Sequence, residues 1–412
     1  MAITRAFGDP DLTPDNFSSF SKQDIAADTA AKAIAQLGPL PKARSTTPMD
    51  LSNVIGAAAA AIQKAGQITF HTVGDTGGIH SPQFQFAVAD AMAADKSGAS
   101  FWYHLGDVVY YFGQDQYYFD QFYDPYRNYN APIFAIPGNH DGVVFTGSEA
   151  SLTAFLGNFC TPQPTRNSDS QGAVRTTMDQ PGVYFTLNAP FVKFIGLYSN
   201  TSEGATEGVI ANSKIGNAQL NFLNQQLAAA KAERAAGQSR ALVIATHHPP
   251  FTGSSSHVPS PNMLTQIDQA CKTAGIQPDM HLSGHSHVYE RYTRTVGGKQ
   301  IPYIVAGMGG FYDLPGLKAK PEPPIKAPQS GTDASGNPLT LEVFNNNTFG
   351  FLRITISPAA ITGQFVTVNT STGKTGIGDT FTVDLKANTV SNSARAKTAA
   401  KPATKSTKKK KR

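Results

Sequence analysis

The segment QITFHTVGDTGG, residues 67–78, decides the fold. A strand-like run, Gln67–Val73, leads straight into Gly74-Asp75-Thr76-Gly77, which puts a carboxylate at the tip of a strand. The same arrangement recurs twice downstream. Phe101–Leu105 reads as a strand and ends in Gly106-Asp107-Val108-Val109-Tyr110; Pro132–Ile136 reads as a strand followed by Gly138-Asn139-His140-Asp141. Between the first two, Ser81-Pro82 supplies a cap and a proline at the first helical position, and a helix continues from Phe84 to Lys96. Between the second and third, the aromatic-rich stretch Gln114–Tyr129 reads as helical. This β-α-β-α-β alternation predicts an α/β fold with a parallel sheet flanked by helices.

Outward from this core, the N-terminal side reads as helical. One helix is expected from Ser21 to Leu37, with Ser21 and Asp24 in capping-box spacing, stopped by Pro39 and Pro41. A second runs from Met49 to Lys64 and ends at Gly66. On the C-terminal side, residues 142–182 are loop-like, and Val183–Leu187 with Val192–Tyr198 form a hairpin. Asn217 caps a helix to Ala236, Ala241–Ala245 is a strand, Pro261–Ala274 a helix and Met280–Leu282 a short strand. Tyr289–Val296 and Gln300–Val305 flank Gly297-Gly298 as a hairpin. Residues 313–338 form a long Pro/Gly-rich loop, and Leu341–Leu385 alternates in three strand-like runs. Residues 386–412 are too polar to bury an ordered core.

The chain has 412 residues, 40% of them hydrophobic, enough for a sizeable core. Its net charge of +5 is misleading, because residues 386–412 hold ten Lys or Arg and no acid. The rest carries 24 basic against 29 acidic residues, so the fold itself offers no basic nucleic-acid surface. The Lys408–Lys411 run with Arg412 reads as a solvated tail, or as a nonspecific partner for polyanions or anionic lipid. Cys160 and Cys271 read as two small buried hydrophobes, with one disulfide as the alternative. No stretch has the roughly 20 apolar residues of a membrane span. With no apolar signal core before Asp9 and Asp11, the expectation is a soluble, cytoplasmic protein, with periplasmic or secreted as the alternative.

Two further fragments complete the pattern: Thr246-His247-His248-Pro249 after strand Ala241–Ala245, and Gly284-His285-Ser286-His287 after Met280–Leu282. Ligands of open α/β sheets bind beyond the carboxyl ends of the strands, so all five fragments converge on one edge. Carboxylates, imidazoles and an amide oxygen suit iron, zinc or manganese. A carboxylate shared by two ions would hold them roughly 3.5–4 Å apart, the spacing of two-metal hydrolases.

Taken in order, the fragments resemble the calcineurin-like metallophosphoesterase superfamily, and most closely its purple acid phosphatases: GDxG, GDxxY, GNH followed by an acid, a single His on a strand end, and GHxH. The superfamily's commoner first motif is Asp-x-His; here Gly77 takes the third position, and Tyr110 stands where the phosphatases compensate with a tyrosine. The resemblance implies a four-layer αββα sandwich, placed at 67–385; residues 1–66 read as a helical extension that departs from the family, and 386–412 as a disordered Lys-rich tail. It implies two metal ions. Asp75, Asp107, Tyr110 and His287 would hold Fe(III); Asp107, as the bridge, Asn139, His247 and His285 would hold a divalent iron, zinc or manganese. His140 and Asp107 would be the catalytic residues. The implied activity is hydrolysis of a small phosphate monoester, acid phosphatase fashion, by a metal-activated hydroxide. A phosphodiesterase acting on nucleotides or lipid headgroups is the alternative enzyme, and a binding protein acting through its basic tail the alternative class.

Other readings stay open at single positions. Asp75 and Asn139 alone would be ordinary turn residues. Tyr110-Tyr111-Phe112 could be pocket wall, and His247 competes with His248 within one dipeptide. His104 reads as a buried partner of the ligands. His80 and His257 lie in loops that could reach substrate, His71 and His281 have no assigned work, and Gly307-Met308-Gly309-Gly310 either passes close to the metals or is a plain turn.

Overall fold

The structure is a computed structural model that describes residues 39–142, 150–200, 208–254 and 257–392. The helix expected at Ser21–Leu37 and the Lys-rich run lie outside the described residues. Strand β1 (Met49–Asp50) leads into α1 (Leu51–Ile55) and α2 (Ala58–Ala65). The β2 (Ile68–Val73), α3 (Pro82–Ala94), β3 (Trp102–His104) and β4 (Ile133–Ala135) elements form the first parallel run, followed by short α4 (Asn139–Gly142) and α5 (Thr153–Phe159). The second run is β5 (Phe185–Ala189), β6 (Val192–Gly196), α6 (Ala218–Ala235), β7 (Ala241–Ala245), α7 (Pro261–Ala274) and β8 (Met280–Ser283). Eight strands close the fold: β9 (Tyr289–Val296), β10 (Lys299–Ala306), β11 (Gln329–Thr332), β12 (Pro338–Asn345), β13 (Phe349–Ile356), β14 (Ala360–Val368), β15 (Thr375–Asp384) and β16 (Thr389–Asn392).

These strands make two sheets, ordered β1-β5-β6-β7-β8-β10-β9-β12-β11 and β16-β15-β14-β13-β2-β3-β4. The sheets face each other through aromatic side chains. Tyr103 of β3 stacks on Phe194 of β6 at 4.7 Å, and Phe70 of β2 meets the same ring edge-on at 5.1 Å. Each such ring is fully buried, which stabilises the fold by roughly 1.5–3 kcal/mol apiece. Helices cover the outer faces. Phe84 of α3 stacks on Phe349 of β13 at 4.8 Å, and Gln226 of α6 accepts from Thr186 of β5 at 2.9 Å. The result is the four-layer αββα sandwich.

Register sets the site. Val73 pairs with His104 and His104 with Ala135, so three strands end level and the residues after them leave one edge. In the other sheet Ala245 pairs with Leu282, which levels the two histidine-bearing ends. The edges are tied together where the Gly74 N–H donates to the Ala306 carbonyl at 2.9 Å.

Several expected elements differ. Gln114–Tyr129 is not a helix: it holds only a 3₁₀ turn at Asp115–Tyr117 and a π turn at Phe119–Tyr123. Tyr117, Tyr118, Phe122, Tyr123, Tyr126 and Tyr129 are all buried, so the chain follows its aromatic contacts rather than one helical stripe, and Pro125 cannot donate a helical bond. The helix from Met49 to Lys64 is instead β1, paired parallel with β5, then two helices separated at Gly56, whose φ is 55°. Thr153–Phe159, read as loop, is helical because Phe155 and Phe159 reach the core. The long loop at 313–338 contains β11, paired antiparallel with β12. Residues 341–385 fall in four strands rather than three. The disorder expected to begin at residue 386 is corrected for residues 386–392 only, because Thr389–Asn392 pairs with β15. Cys160 and Cys271 are buried and unpaired.

Candidate metal centre

Asp75 leaves the tip of β2 and Asp107 the turn after β3, both with left-handed backbone, φ 58° and 54°. That conformation turns each carboxylate back over its own strand end, at a cost of about 1–2 kcal/mol each. Tyr110 follows in the same loop. Its hydroxyl lies 3.3 Å from Asp75 Oδ1 and 3.3 Å from His287 Nε2, and His287 Nε2 is 3.6 Å from Asp75 Oδ1. The Tyr110 ring is fixed between backbone and core. Gln121 accepts from its N–H at 2.9 Å and donates to its carbonyl at 2.8 Å, and Phe311 stacks on it at 3.9 Å.

A second set gathers at Asp107. Asn139 Oδ1 lies 3.0 Å from His247 Nε2 and 2.9 Å from His285 Nδ1. His247 Nε2 also lies 3.2 Å from Asp107 Oδ2, while Asp107 Oδ1 accepts the His140 N–H at 2.9 Å. Asp107, His247 and His285, all buried, present donor atoms within 4.8 Å of one another. Gly138 is required beside them: a Cβ there would collide with the Asp107 carboxylate.

The electrostatics ask for a cation. His247 Nδ1 donates to the Leu105 carbonyl at 2.8 Å, so in the neutral ring the Nε2 lone pair faces the oxygens of Asp107 and Asn139. Three lone pairs cannot converge without a proton or a metal between them. Left without a cation, the ring takes the proton: burial opposes it, but Asp107 carries its pKa up to about 9. Burial drives the Asp75 carboxyl well above the usual range, with His247 opposing and Asp107 adding to the rise. Burial, then Asp107 and Asp75, push the Tyr110 phenol up as well. His285 Nε2 is buried with no partner. Bound cations would invert each of these preferences, so the donor set fits metal.

The seven expected ligand positions therefore come together in one buried site. His140 borders it, half-buried, with Nδ1 2.7 Å from the Tyr111 carbonyl. His248 packs beside the site, its ring 4.1 Å from that of His285, and its Nδ1 lies 3.2 Å from Ser199 Oγ rather than against Asp107 or Asn139. His104 lies behind the site, bonded to Thr76 Oγ1 at 2.8 Å and to the Gly106 N–H at 3.1 Å. His257 stands over it, its ring 4.5 Å from His285 and 5.0 Å from His287. The glycine segment after β10 does pass the site: the Phe311 N–H donates to the Asp75 carbonyl at 3.0 Å. His71 and His281 lie elsewhere. His71 bonds Asp95 at 2.7 Å, and His281 stacks on Tyr303 at 5.1 Å. Of the residues that fix Tyr110, Gln121 lies in a stretch without a motif, and Phe311 directly follows the glycine segment but carries no signal of its own.

Residues 68–289 match the calcineurin-like phosphoesterase family. None of the curated protein sequences matches the chain. Among solved structures, the purple acid phosphatase PPD1 from yellow lupin (Lupinus luteus) seeds is similar at TM-score 0.50 and 13% identity, over 78% of this chain and 55% of that one. GAP50 of Plasmodium, the anchor in the inner membrane complex, is similar at TM-score 0.49 and 17% identity, over 76% and 88%. A dimetal phosphatase from Danio rerio is similar at TM-score 0.43 and 12% identity, over 72% and 95%. At such identities the lupin likeness is one of fold. Among the described residues no helix is long and apolar enough to cross a membrane. With more than half its length matching, and the strand-tip donors gathered in one site, the chain belongs to the calcineurin-like phosphoesterase family.

Proposed function

We propose that the protein hydrolyses phosphate monoesters, in the manner of an acid phosphatase, at a two-cation centre. Asp75, Asp107, Tyr110 and His287 would hold a ferric ion; Asp107, Asn139, His247 and His285 would hold divalent iron, zinc or manganese. One observation carries this reading. Asp107 Oδ2 lies 3.2 Å from His247 Nε2 in the Asn139–His247–His285 set, and its side chain also bonds Tyr110 in the Asp75–Tyr110–His287 set. Two cations, when bound, supply Lewis-acid contact to phosphate oxygens and a lowered pKa for water, the source of a hydroxide nucleophile.

The chain's own groups do the rest. The Leu105 carbonyl fixes the His247 tautomer and so keeps Nε2 for the site. The Tyr111 carbonyl accepts from His140 Nδ1–H and leaves Nε2 for the site; as an imidazolium the ring would give its Nε2 proton to the departing alkoxide and return to the neutral Nδ1–H tautomer. His257 packs against His285 and His287 from the other side. No covalent phosphoenzyme is required, and both cysteines are buried.

The test is metal content, visible spectrum and turnover on one protein sample purified without added metal. A monoester and a diester of the same chromophore are compared. Two metals per chain, a visible charge-transfer band and faster monoester cleavage are expected. Metal-free protein that still cleaves esters would overturn the reading, and faster diester cleavage would replace it with the phosphodiesterase alternative.

A further inference from the structure

We infer that the mouth of this centre receives an aromatic ring carried by the leaving group, on a rim made by His80, Tyr111 and Tyr312; the inference rests on the phosphomonoester reading above. The three rings come from three different loops. His80 lies five residues beyond Asp75, Tyr111 adjoins Tyr110, and Tyr312 follows Phe311. They meet all the same. The His80 ring stands edge-on to Tyr312 at 5.4 Å and 82°, and tilted to Tyr111 at 6.2 Å and 50°. The two tyrosine hydroxyls lie 3.2 Å apart. All three side chains are half-buried and keep part of their surface open.

One feature sets His80 apart from a packing residue. Its Nε2 is buried without a hydrogen-bond partner, while the ring as a whole is only half-buried. A rotation of that ring would offer the nitrogen to a substituent on an entering ring.

The rim is placed where the leaving group must go. The Tyr111 carbonyl holds His140, and the Tyr111 ring lies 5.9 Å from the His140 ring. The alcohol that takes its proton from His140 therefore carries its first substituent toward Tyr111, Tyr312 and His80. Edge-to-face and offset contacts with such rings favour an aromatic group over a saturated one by about 0.5–1.5 kcal/mol each, roughly two- to tenfold. The class of substrate is thus an ester whose alcohol bears an aromatic ring a few bonds from oxygen, either an arylalkyl alcohol or a nucleoside.

The test uses two matched pairs, so that leaving-group acidity does not decide the outcome. Benzyl phosphate is compared with cyclohexylmethyl phosphate, and a nucleoside 5′-monophosphate with ribose 5-phosphate. The metal-loaded full chain is expected to favour the ring-bearing member of at least one pair by about tenfold in kcat/KM, and the pair that responds names the source of the ring. Tyr312→Leu and His80→Leu are each expected to reduce that ratio at least threefold. Benzylphosphonate and cyclohexylmethylphosphonate, compared by calorimetry, give the same ratio without turnover. Ratios near one in both pairs, or a ratio unchanged in both variants, overturn the inference. Ring discrimination in phosphonate binding without hydrolysis of any ester sinks the phosphatase reading alone, and no phosphonate binding sinks both.

Discussion

Asp141 Oδ1 accepts the Val108 N–H at 3.1 Å, which fastens the loop of Asp107 to the loop of Asn139. The same buried carboxylate takes the N–H groups of Val109 at 3.2 Å and Gly138 at 2.8 Å. Three donors from two motif loops thus end on one side chain. Asp141→Ala would leave all three buried and unpaired, at about 1 kcal/mol or more each. The melting temperature is expected to fall by several degrees and bound metal to fall with it. A variant that melts and loads metal like the parent would deny Asp141 this role.

The proposed bridging role of Asp107 predicts unequal losses among the proposed ligands. Asp107→Ala removes a donor common to both sets, so both ions and all turnover should go. His285→Ala touches only the Asn139–His247 set, so metal content should fall from about two to about one per chain. Elemental analysis of the two variants beside the parent decides the matter. Equal metal loss in both would mean that Asp107 does not join the sets.

How much of this could be read from the chain depended on where each contact lies in sequence. The strand-tip donors were legible because each sits within a few residues of a strand end, and the parallel register of Val73, His104 and Ala135 carries local motifs to one edge. The supports of Tyr110 were not. Gln121 reaches back eleven residues from a stretch that reads as a helix, and its side chain bonds to backbone whose position only the fold defines. The failed helix at Gln114–Tyr129 has the same cause: periodicity assumes one buried stripe, and this segment buries rings on every side. Strand β11, four exposed polar residues, has no apolar alternation to read and exists because β12 offers it an edge.

Tyr110→Phe separates the phenolate from the ring that carries it. Phe311 stacks on Tyr110 at 3.9 Å, and phenylalanine keeps that contact, so the fold should survive. The parent, purified aerobically, is expected to be coloured by phenolate-to-iron charge transfer, and the variant colourless. A visible spectrum at matched iron content is the measurement. A band of unchanged position and strength in the variant would place the iron away from Tyr110.

Glu290 lies wholly buried beneath the loop that leads to His257, with Oε1 accepting the Gly253 N–H at 2.8 Å. Thr252, Ser254 and Tyr292 surround it and among the described residues no cation pairs with it, so burial raises its pKa to about 8 despite those hydrogen bonds. The folded protein therefore keeps a proton that the unfolded chain releases near pH 4.5. From pH 4.5 up to about 8 the folded state binds more protons, so stability falls as pH rises across that window and levels off above it. Glutamine copies the protonated acid and does not ionise. Glu290→Gln should match the parent at pH 5 and exceed it at pH 8.5 by on the order of 2–4 kcal/mol, read from denaturant unfolding at both values. A variant weaker than the parent at both would show instead that the carboxylate is charged in the fold, and that a cation near Thr252 or Tyr292 holds it there.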